Sequence, residues 1–106
     1  MTHTPGPWVD SPHAGDAIIS KHPDAMAHAG DCIGDYGGYV VCEGTTKRDK
    51  PLIKAAPRMY DTLGIAANEL SAIMDQKGHT AKTRRVLAEI YVVLALARGE
   101  TDGGAS

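Results

Sequence analysis

The chain has 106 residues, of which 42% are hydrophobic and 23% are charged, and its formal net charge is −2. These values are typical of one globular domain with a modest core. No apolar run approaches the roughly 20 residues of a membrane-spanning helix, and the N-terminus lacks the pattern of a signal peptide, so we expect a cytoplasmic protein with no membrane partner.

The charge is unevenly distributed. Residues 1–46 carry one basic and six acidic side chains, whereas residues 47–98 carry ten basic and five acidic ones. An acidic segment followed by a basic one argues against a dedicated binder of duplex nucleic acid, which is usually basic overall. The asymmetry suits self-association or a local anion site.

The first part of the chain predicts short strands separated by glycine and proline. Trp8-Val9 and residues 17–20 have strand character, as do 31–33 and 39–42. The last two flank residues 35–38, a strong hairpin signal because the glycines Gly37 and Gly38 accept positive φ. We therefore predict a small antiparallel sheet over residues 8–45.

From residue 50 onward the apolar period becomes helical. Asp49 suits an N-cap and Pro51 a first turn, which predicts a helix over residues 50–76. Thr80 is a second N-cap, and it predicts another helix over 80–99. The fold class is α+β, a sheet followed by a helical hairpin, in a single domain over 1–100 with a flexible tail over 101–106. The first helix carries an apolar stripe that we expect to be buried: Leu52, Ala56, Met59, Leu63, Ala66, Leu70 and Ile73.

Pro57 falls inside the first predicted helix, where it cannot donate a hydrogen bond to the carbonyl of Ile53. Either one helix kinks at this point, or a short helix ends near Ala56 and a new one begins at Pro57. A new start would leave free N–H groups near Met59 and Tyr60, and such groups attract anions.

The sequence contains none of the motifs GxSxG, GxxxxGK[ST] and GxGxxG, so we expect neither an enzyme nor a cofactor. His22, His28 and Cys32 lack the paired spacing of a metal site, and we predict exposed histidines and no metal, leaving open whether the three converge in space. Cys32 and Cys42 are predicted to be reduced, structural thiols.

The basic residues are concentrated in one short segment. Five of the eleven lysines and arginines lie within twelve residues: Lys47, Arg48, Lys50, Lys54 and Arg58. One interpretation is a solvated helix face. The other is an anion site in which Arg48, Lys54 and Arg58 contact phosphates while Tyr60 or Trp8 stacks on a base. Trp8 also fits a rigid N-terminal arm that buries its indole.

Two segments resemble the signature of a family of small phage and prophage proteins. Residues 4–8 read TPGPW and residues 52–63 read LIKAAPRMYDTL, whereas the family typically begins with TPGPW and continues to a segment close to LIAAAPELLEAL. The resemblance covers roughly residues 3–70. Lys54, Arg58, Met59 and Tyr60 replace the alanine, glutamate and two leucines of the family pattern, so the extra positive charge is peculiar to this chain.

The resemblance implies a phage-encoded accessory or anti-defence protein in the cytoplasm of a bacterial host. The predicted architecture is similar, as a fold class only, to phage proteins that sequester cyclic nucleotide signals of bacterial immunity. We expect a non-enzymatic homo-oligomer that sequesters a small anionic nucleotide in pockets at subunit interfaces, with Arg58→Glu abolishing binding. The alternatives are a protein-interaction module that inhibits or regulates a host or phage protein and, third, a hydrolase acting on the same signals.

Overall fold

The structure, a computed structural model, describes residues 3–100. Its elements in chain order are β1 (Trp8–Asp10), β2 (Ile18–Ser20), α1 (Pro23–Met26), α2 (Cys32–Tyr36), β3 (Tyr39–Cys42), α3 (Lys50–Lys77) and α4 (Ala81–Ala97). The predicted α+β class, a small antiparallel sheet followed by a helical hairpin, is confirmed. The predicted tail, 101–106, lies outside the described residues.

The chain divides into two compact units between Arg58 and Met59, inside α3. The prediction of a single domain stays a prediction. Within residues 3–100, no helix has both the length and the apolar character needed to cross a bilayer.

The sheet lies in the first unit and has the strand order β1-β2-β3, with both pairs antiparallel. The central strand β2 is completely buried, and an irregularity between Ile18 and Ile19 shifts its register against β3. Apolar side chains on a central strand can pack on both faces of a sheet, which explains why this short segment forms the core of the unit.

An N-terminal arm is fixed against the sheet by two hydrogen bonds. The indole Nε1 of Trp8 donates to the carbonyl of Thr4 at 3.0 Å, and the hydroxyl of Ser20 donates to the carbonyl of Pro5 at 2.6 Å. Gly6 lies so close to Pro57 that an added Cβ would come within 3.0 Å of the proline Cβ. The close approach explains why glycine occupies this position.

The predicted hairpin over residues 31–42 is wrong. Residues 32–36 form helix α2, and β3 pairs with β2 instead. Gly37 does adopt a positive φ of 85°, but it ends the helix, since its N–H bonds to the carbonyls of Cys32 and Ile33. The prediction also missed α1, which begins with Pro23 at its first position and is capped by the side chain of His22.

Helix α3 runs without interruption through Pro57, so the alternative of a new helix starting at this proline is wrong. The free N–H groups expected near Met59 and Tyr60 are therefore not those of a helix start. Pro57 is buried and contacts the arm at Gly6. Packing of the ring offsets part of the cost of the hydrogen bond that proline cannot donate.

The predicted buried stripe of α3 is confirmed in part, since Ala56, Leu63 and Leu70 are half-buried whereas the other four positions are exposed. Leu52, Met59 and Ile73 are 64%, 47% and 45% exposed, and Ala66 is also exposed. In the second unit, the buried and half-buried positions that follow 4-3 spacing are Tyr60, Gly64, Ala67, Ser71 and Met74. Three of these five residues, Gly64, Ala67 and Ser71, have small side chains.

Helix α4 returns antiparallel to α3, so that its C-terminal end lies near Tyr60. Thr80 caps it as predicted, in a capping box with Thr83, and Gly78, at a φ of 76°, follows the end of α3. Its inward positions are the half-buried Leu87 and Ile90 and the buried Leu94. We call these positions, together with Tyr60, Gly64, Ala67, Ser71 and Met74 of α3, the seam of the hairpin.

Candidate functional site

A cleft of about 460 Å³ opens between α3 and α4 within the second unit, and we call it the hairpin cleft. Its lining combines aromatic, polar, charged and small apolar side chains: Tyr60, Asp61, Gly64, Ile65, Ala67, Asn68, Tyr91, Leu94 and Arg98. The volume lies within the range of roughly 300–1,000 Å³ that small-molecule sites occupy.

Helical geometry explains which side chains reach the cleft. Asp61, Ile65 and Asn68 each follow a seam position of α3 by one residue, and Tyr91 follows the seam position Ile90 of α4. One residue corresponds to a rotation of about 100° around a helix. In an antiparallel pair, the residues that follow the seam therefore lie on one side of both helices, whereas those that precede it lie on the other.

The floor of the cleft is open because two seam residues are small. Gly64 has no side chain, and nothing lies within 4 Å of the position that a Cβ would take there. Ala67 is almost completely buried beside it. A larger residue at either position would narrow the space between the helices, so this pair of small residues determines the depth of the cleft.

Arg98 lies at the C-terminal end of α4 and is held from two sides. Its Nη1 donates to the hydroxyl of Tyr60 at 3.4 Å, and its Nε donates to a carboxylate oxygen of Glu100 at 2.7 Å. The Glu100 carboxylate, and then the Tyr60 hydroxyl, raises the pKa of the guanidinium above its ordinary value. The guanidinium therefore stays protonated, and its ion pair with Glu100 offsets part of its positive charge at this end of the cleft.

The arrangement can bind a ligand that is planar at one end and anionic at the other. Tyr60 and Tyr91 provide aromatic rings for stacking. Arg98 has guanidinium N–H groups in a planar array that matches phosphate oxygens. Asn68 has both donor and acceptor atoms, and the carboxylate of Asp61 accepts from amino or hydroxyl groups.

The sequence-predicted site residues divide between the two units: Trp8, Arg48, Lys54 and Arg58 lie in the first and Tyr60 lies in the second. Tyr60 lines the hairpin cleft. Arg58 precedes it by two residues on the same helix, a rotation of about 200°, so the two side chains leave α3 on nearly opposite sides. Their ligand contacts stay predictions.

Lys54 has a structural partner. Its Nζ lies 3.1 Å from Oδ2 of Asp10, while Nζ of Lys50 lies 3.7 Å from Oδ1 of the same carboxylate and also donates to the carbonyl of Gly15. The hydrogen bond from Lys54 is the main reason why the pKa of Asp10 is lowered. A phosphate that bound Lys54 would compete with this carboxylate.

Arg48 and Arg58 are both exposed, whereas Trp8 is half-buried. The ring of Trp8 makes an edge-to-face contact with His3, with centroids 6.2 Å apart and an interplanar angle of 86°. Together with the indole hydrogen bond to Thr4, this contact supports the arm interpretation of Trp8.

Among residues 3–100, no group of three or more histidine, cysteine, aspartate or glutamate side chains could hold a metal ion. His22, His28 and Cys32 therefore do not converge into such a group. Cys32, on α2, and Cys42, on β3, are free and half-buried.

Among the polar and aromatic residues of the cleft, the sequence pattern indicated Tyr60 but not Asp61, Asn68, Tyr91 or Arg98. Tyr91 and Arg98 are one heptad apart and share a side of α4, which is a signal that the sequence does contain.

Comparisons with family models, with curated proteins and with solved structures found no match to this chain. The resemblance to the phage family stays a prediction, and the functional argument depends on the geometry of the hairpin cleft.

Proposed function

We propose that this protein binds and sequesters a small anionic nucleotide, of the cyclic signalling class, in the hairpin cleft, without chemical turnover. The observation that carries the proposal is the position of the Arg98 guanidinium beside Tyr60, in a cleft that also contains Tyr91. A fixed cation next to aromatic rings matches the phosphate and the base of one ligand.

The other polar side chains of the cleft can contact further parts of the same nucleotide. Asp61 lies next to Tyr60, and its carboxylate accepts hydrogen bonds from a ribose hydroxyl or from an exocyclic amino group, whereas it repels phosphate. The phosphate therefore lies at Arg98. Asn68, two turns further along α3, reaches the edge of a base stacked on Tyr91.

The chemistry of the lining supports sequestration over hydrolysis. The nine residues that line the cleft include no histidine, cysteine or serine, and Asp61 is their single carboxylate. Acid–base hydrolysis of a phosphodiester requires a nucleophile-activating base and a leaving-group acid in reach of one another. Binding without release of product is the function that this set of side chains serves best.

The experiment is native mass measurement of the full chain, alone and with a panel of cyclic mono-, di- and trinucleotides. We expect one ligand to add its intact mass to the protein and to be recovered unchanged after heat denaturation. Recovery of a cleaved nucleotide would show a hydrolase instead. No added mass with any member of the panel, at ligand concentrations up to the millimolar range, would contradict the proposal.

In a phage-infected bacterium, sequestration of a nucleotide would act against host defence. A protein that depletes a cyclic nucleotide signal would suppress the defence response that the signal activates, in the cytoplasm of the infected bacterium. This part of the proposal is supported by the resemblance of residues 4–8 and 52–63 to the phage family. Expression of the chain in a bacterium with a nucleotide-signalled defence system should raise phage yield, and Arg98→Glu should remove the effect.

The second candidate function is a protein-interaction module that regulates a host or phage protein. One observation favours it, since several large apolar side chains of α3 and α4 are 39–49% exposed: Met59, Ile73, Val86, Tyr91, Val93 and Leu96. Exposed apolar groups of this kind mark association surfaces. A stable complex in a pull-down, together with no nucleotide binding, would support this candidate.

A further inference from the structure

The side of the hairpin opposite the cleft carries an apolar face. Five positions of α3 immediately precede a seam residue, and all five are apolar: Met59, Leu63, Ala66, Leu70 and Ile73. The positions that follow the seam are different in character, since they include Asp61, Asn68 and Asp75. The two sides of α3 therefore differ in character: the side that precedes the seam is apolar, whereas the side that faces the cleft is partly polar.

Helix α4 extends the same face. Val86 and Val93 each precede a seam residue by one position, so they lie on the side of α4 that adjoins the apolar side chains of α3. They are 46% and 39% exposed. We call the five α3 positions together with Val86 and Val93 the dimer face. Lys82 and Glu89 lie on this side of α4 as well, with Glu89 between the two valines.

We propose that the dimer face binds a second copy of this chain, with the two α3 helices antiparallel and related by a twofold axis that passes between Gly64 and Ile65. The 4-3 spacing of the α3 stripe is that of a coiled-coil seam, which pairs with a copy of itself. Antiparallel helices related by this axis align Met59 with Leu70 of the second copy and Leu63 with Ala66 of the second copy.

Side-chain volumes agree with this alignment. Ala66 lies beside a leucine at the centre of the pair, so a small side chain is matched with a large one in both symmetry-related layers. Alternation of large and small residues allows facing helices to interdigitate. A parallel pairing would instead place Ala66 on Ala66 and leave space at the centre of the interface.

The charges of α3 also favour the antiparallel copy. Its first nine residues contain three basic and no acidic side chains, whereas residues 59–77 contain three acidic and one basic. Arg58 and Glu69 each precede a residue of the dimer face by one position, so both flank the face on the same side of α3. The antiparallel alignment brings Glu69 of the second copy beside Arg58, whereas a parallel pairing would place like charges together.

The dimer leaves both hairpin clefts open, because the cleft lies on the other side of the helices. Each dimer therefore has two separate sites, each made by one chain. Pockets at subunit interfaces, the sequence-based expectation, are not needed for this arrangement. Dimerisation requires no nucleotide, so the two proposals can fail independently.

The first test is sedimentation equilibrium of the full chain without ligand, across micromolar concentrations. We expect twice the chain mass of 11.2 kDa. Ala66→Glu puts a carboxylate at the centre of the apolar face, and we expect it to weaken dimerisation by about 100-fold or more. Ala72→Glu is the matched control, because Ala72 is also an exposed alanine of α3 but follows the seam.

The results distinguish failure of the dimer, failure of the assigned face and failure of the nucleotide site. A monomeric wild-type chain, or a dimer that survives Ala66→Glu, overturns the proposal. Equal dissociation by Ala72→Glu overturns the assignment of the face. A monomer that still binds nucleotide overturns the dimer and leaves the proposed function intact.

The second test concerns orientation. In a background with Cys32→Ser and Cys42→Ser, the double variant Met59→Cys, Leu70→Cys should form intermolecular disulfides, because those positions face each other in the antiparallel pair. Met59→Cys alone should not, since its two copies would lie about 16 Å apart at 1.5 Å per residue. Efficient cross-linking of the single variant would contradict the antiparallel arrangement.

Discussion

The guanidinium Nη1 of Arg98 lies 3.4 Å from the hydroxyl of Tyr60, although the two residues are separated by 38 positions in the chain. The contact joins the end of α4 to the middle of α3 and closes the hairpin at one end of the cleft. It also prevents the guanidinium from rotating freely, since Glu100 holds Nε on the other side. Arg98 is thereby preorganised for an anion, which lowers the entropic cost of binding.

Tyr60→Phe should weaken nucleotide binding while preserving the fold. The change removes the acceptor of the Arg98 hydrogen bond but keeps the ring, so we expect a loss of roughly 3- to 10-fold in affinity, about 1 kcal/mol. Tyr39→Phe, on β3 and outside the cleft, is the control. Calorimetric titration with the nucleotide found in the panel measures both, and an equal loss in the two variants would contradict the assigned contact.

Gly37→Ala should lower the free energy of unfolding by more than about 1 kcal/mol, because φ at this residue is 85° and an alanine side chain is strained there. The new Cβ would also come within 2.7 Å of Cγ of Pro12. Gly34→Ala is the control inside α2, where nothing lies within 4 Å of the added methyl and the free energy should rise by up to about 1 kcal/mol. Urea denaturation distinguishes them, and equal effects would contradict the cap assigned to Gly37.

Ser20→Ala should destabilise the first unit by about 1–3 kcal/mol, since it removes the side-chain partner of two backbone groups, the carbonyl of Pro5 and the N–H of His22. The hydroxyl is completely buried, donates to the carbonyl of Pro5 and accepts from the N–H of His22 at 3.2 Å. Ser71→Ala, at a half-buried helix position, serves as the control and should be close to neutral. A neutral Ser20→Ala in the same denaturation assay would show that the arm does not depend on this hydroxyl.

Asp10 should titrate below its ordinary pKa of 3.8 in the folded protein, because Lys54 and Lys50 stabilise its charged form. A lowered folded pKa contributes stability that is present above 3.8 and is lost as the pH falls through the folded pKa. Carboxyl NMR signals followed from pH 6 downward measure the shift. Lys54→Met should move the pKa of Asp10 upward, and an unchanged value would refute Lys54 as the principal cause.

The long helices could be predicted from the sequence almost to the residue, since their signals are local. Pro51, Gly78 and Thr80 each act through the backbone at one helix end. The segment at residues 31–36 could not be assigned in the same way, because Gly37 is equally suited to a hairpin turn and to a helix C-cap. The choice between turn and cap depends on a distant segment, because β3 pairs with β2 and not with residues 31–33.

The sequence predicts the spacing of the buried positions of α3 but not which side of the helix they occupy. Two adjacent stripes have the same 4-3 period, one of large apolar residues such as Met59 and Ile73 and one of small residues such as Gly64 and Ala67. Periodicity alone cannot tell which stripe is buried. In the structure the small residues line the seam, which leaves Met59 and Ile73 exposed and opens the cleft. Tyr60 was predicted as a ligand-binding residue. Arg98 was not, because its position beside Tyr60 depends on how α4 folds back along α3.

Nucleotide titration of two charge reversals on the full chain, Arg98→Glu and Arg58→Glu, tests the hairpin cleft as the binding site, with thermal unfolding as the check on folding. If the hairpin cleft is the site, Arg98→Glu abolishes binding and Arg58→Glu retains it within a few-fold, because Arg58 leaves α3 on the side opposite Tyr60. Wild-type affinity in Arg98→Glu together with loss of binding in Arg58→Glu would contradict the cleft and support the basic segment predicted from the sequence.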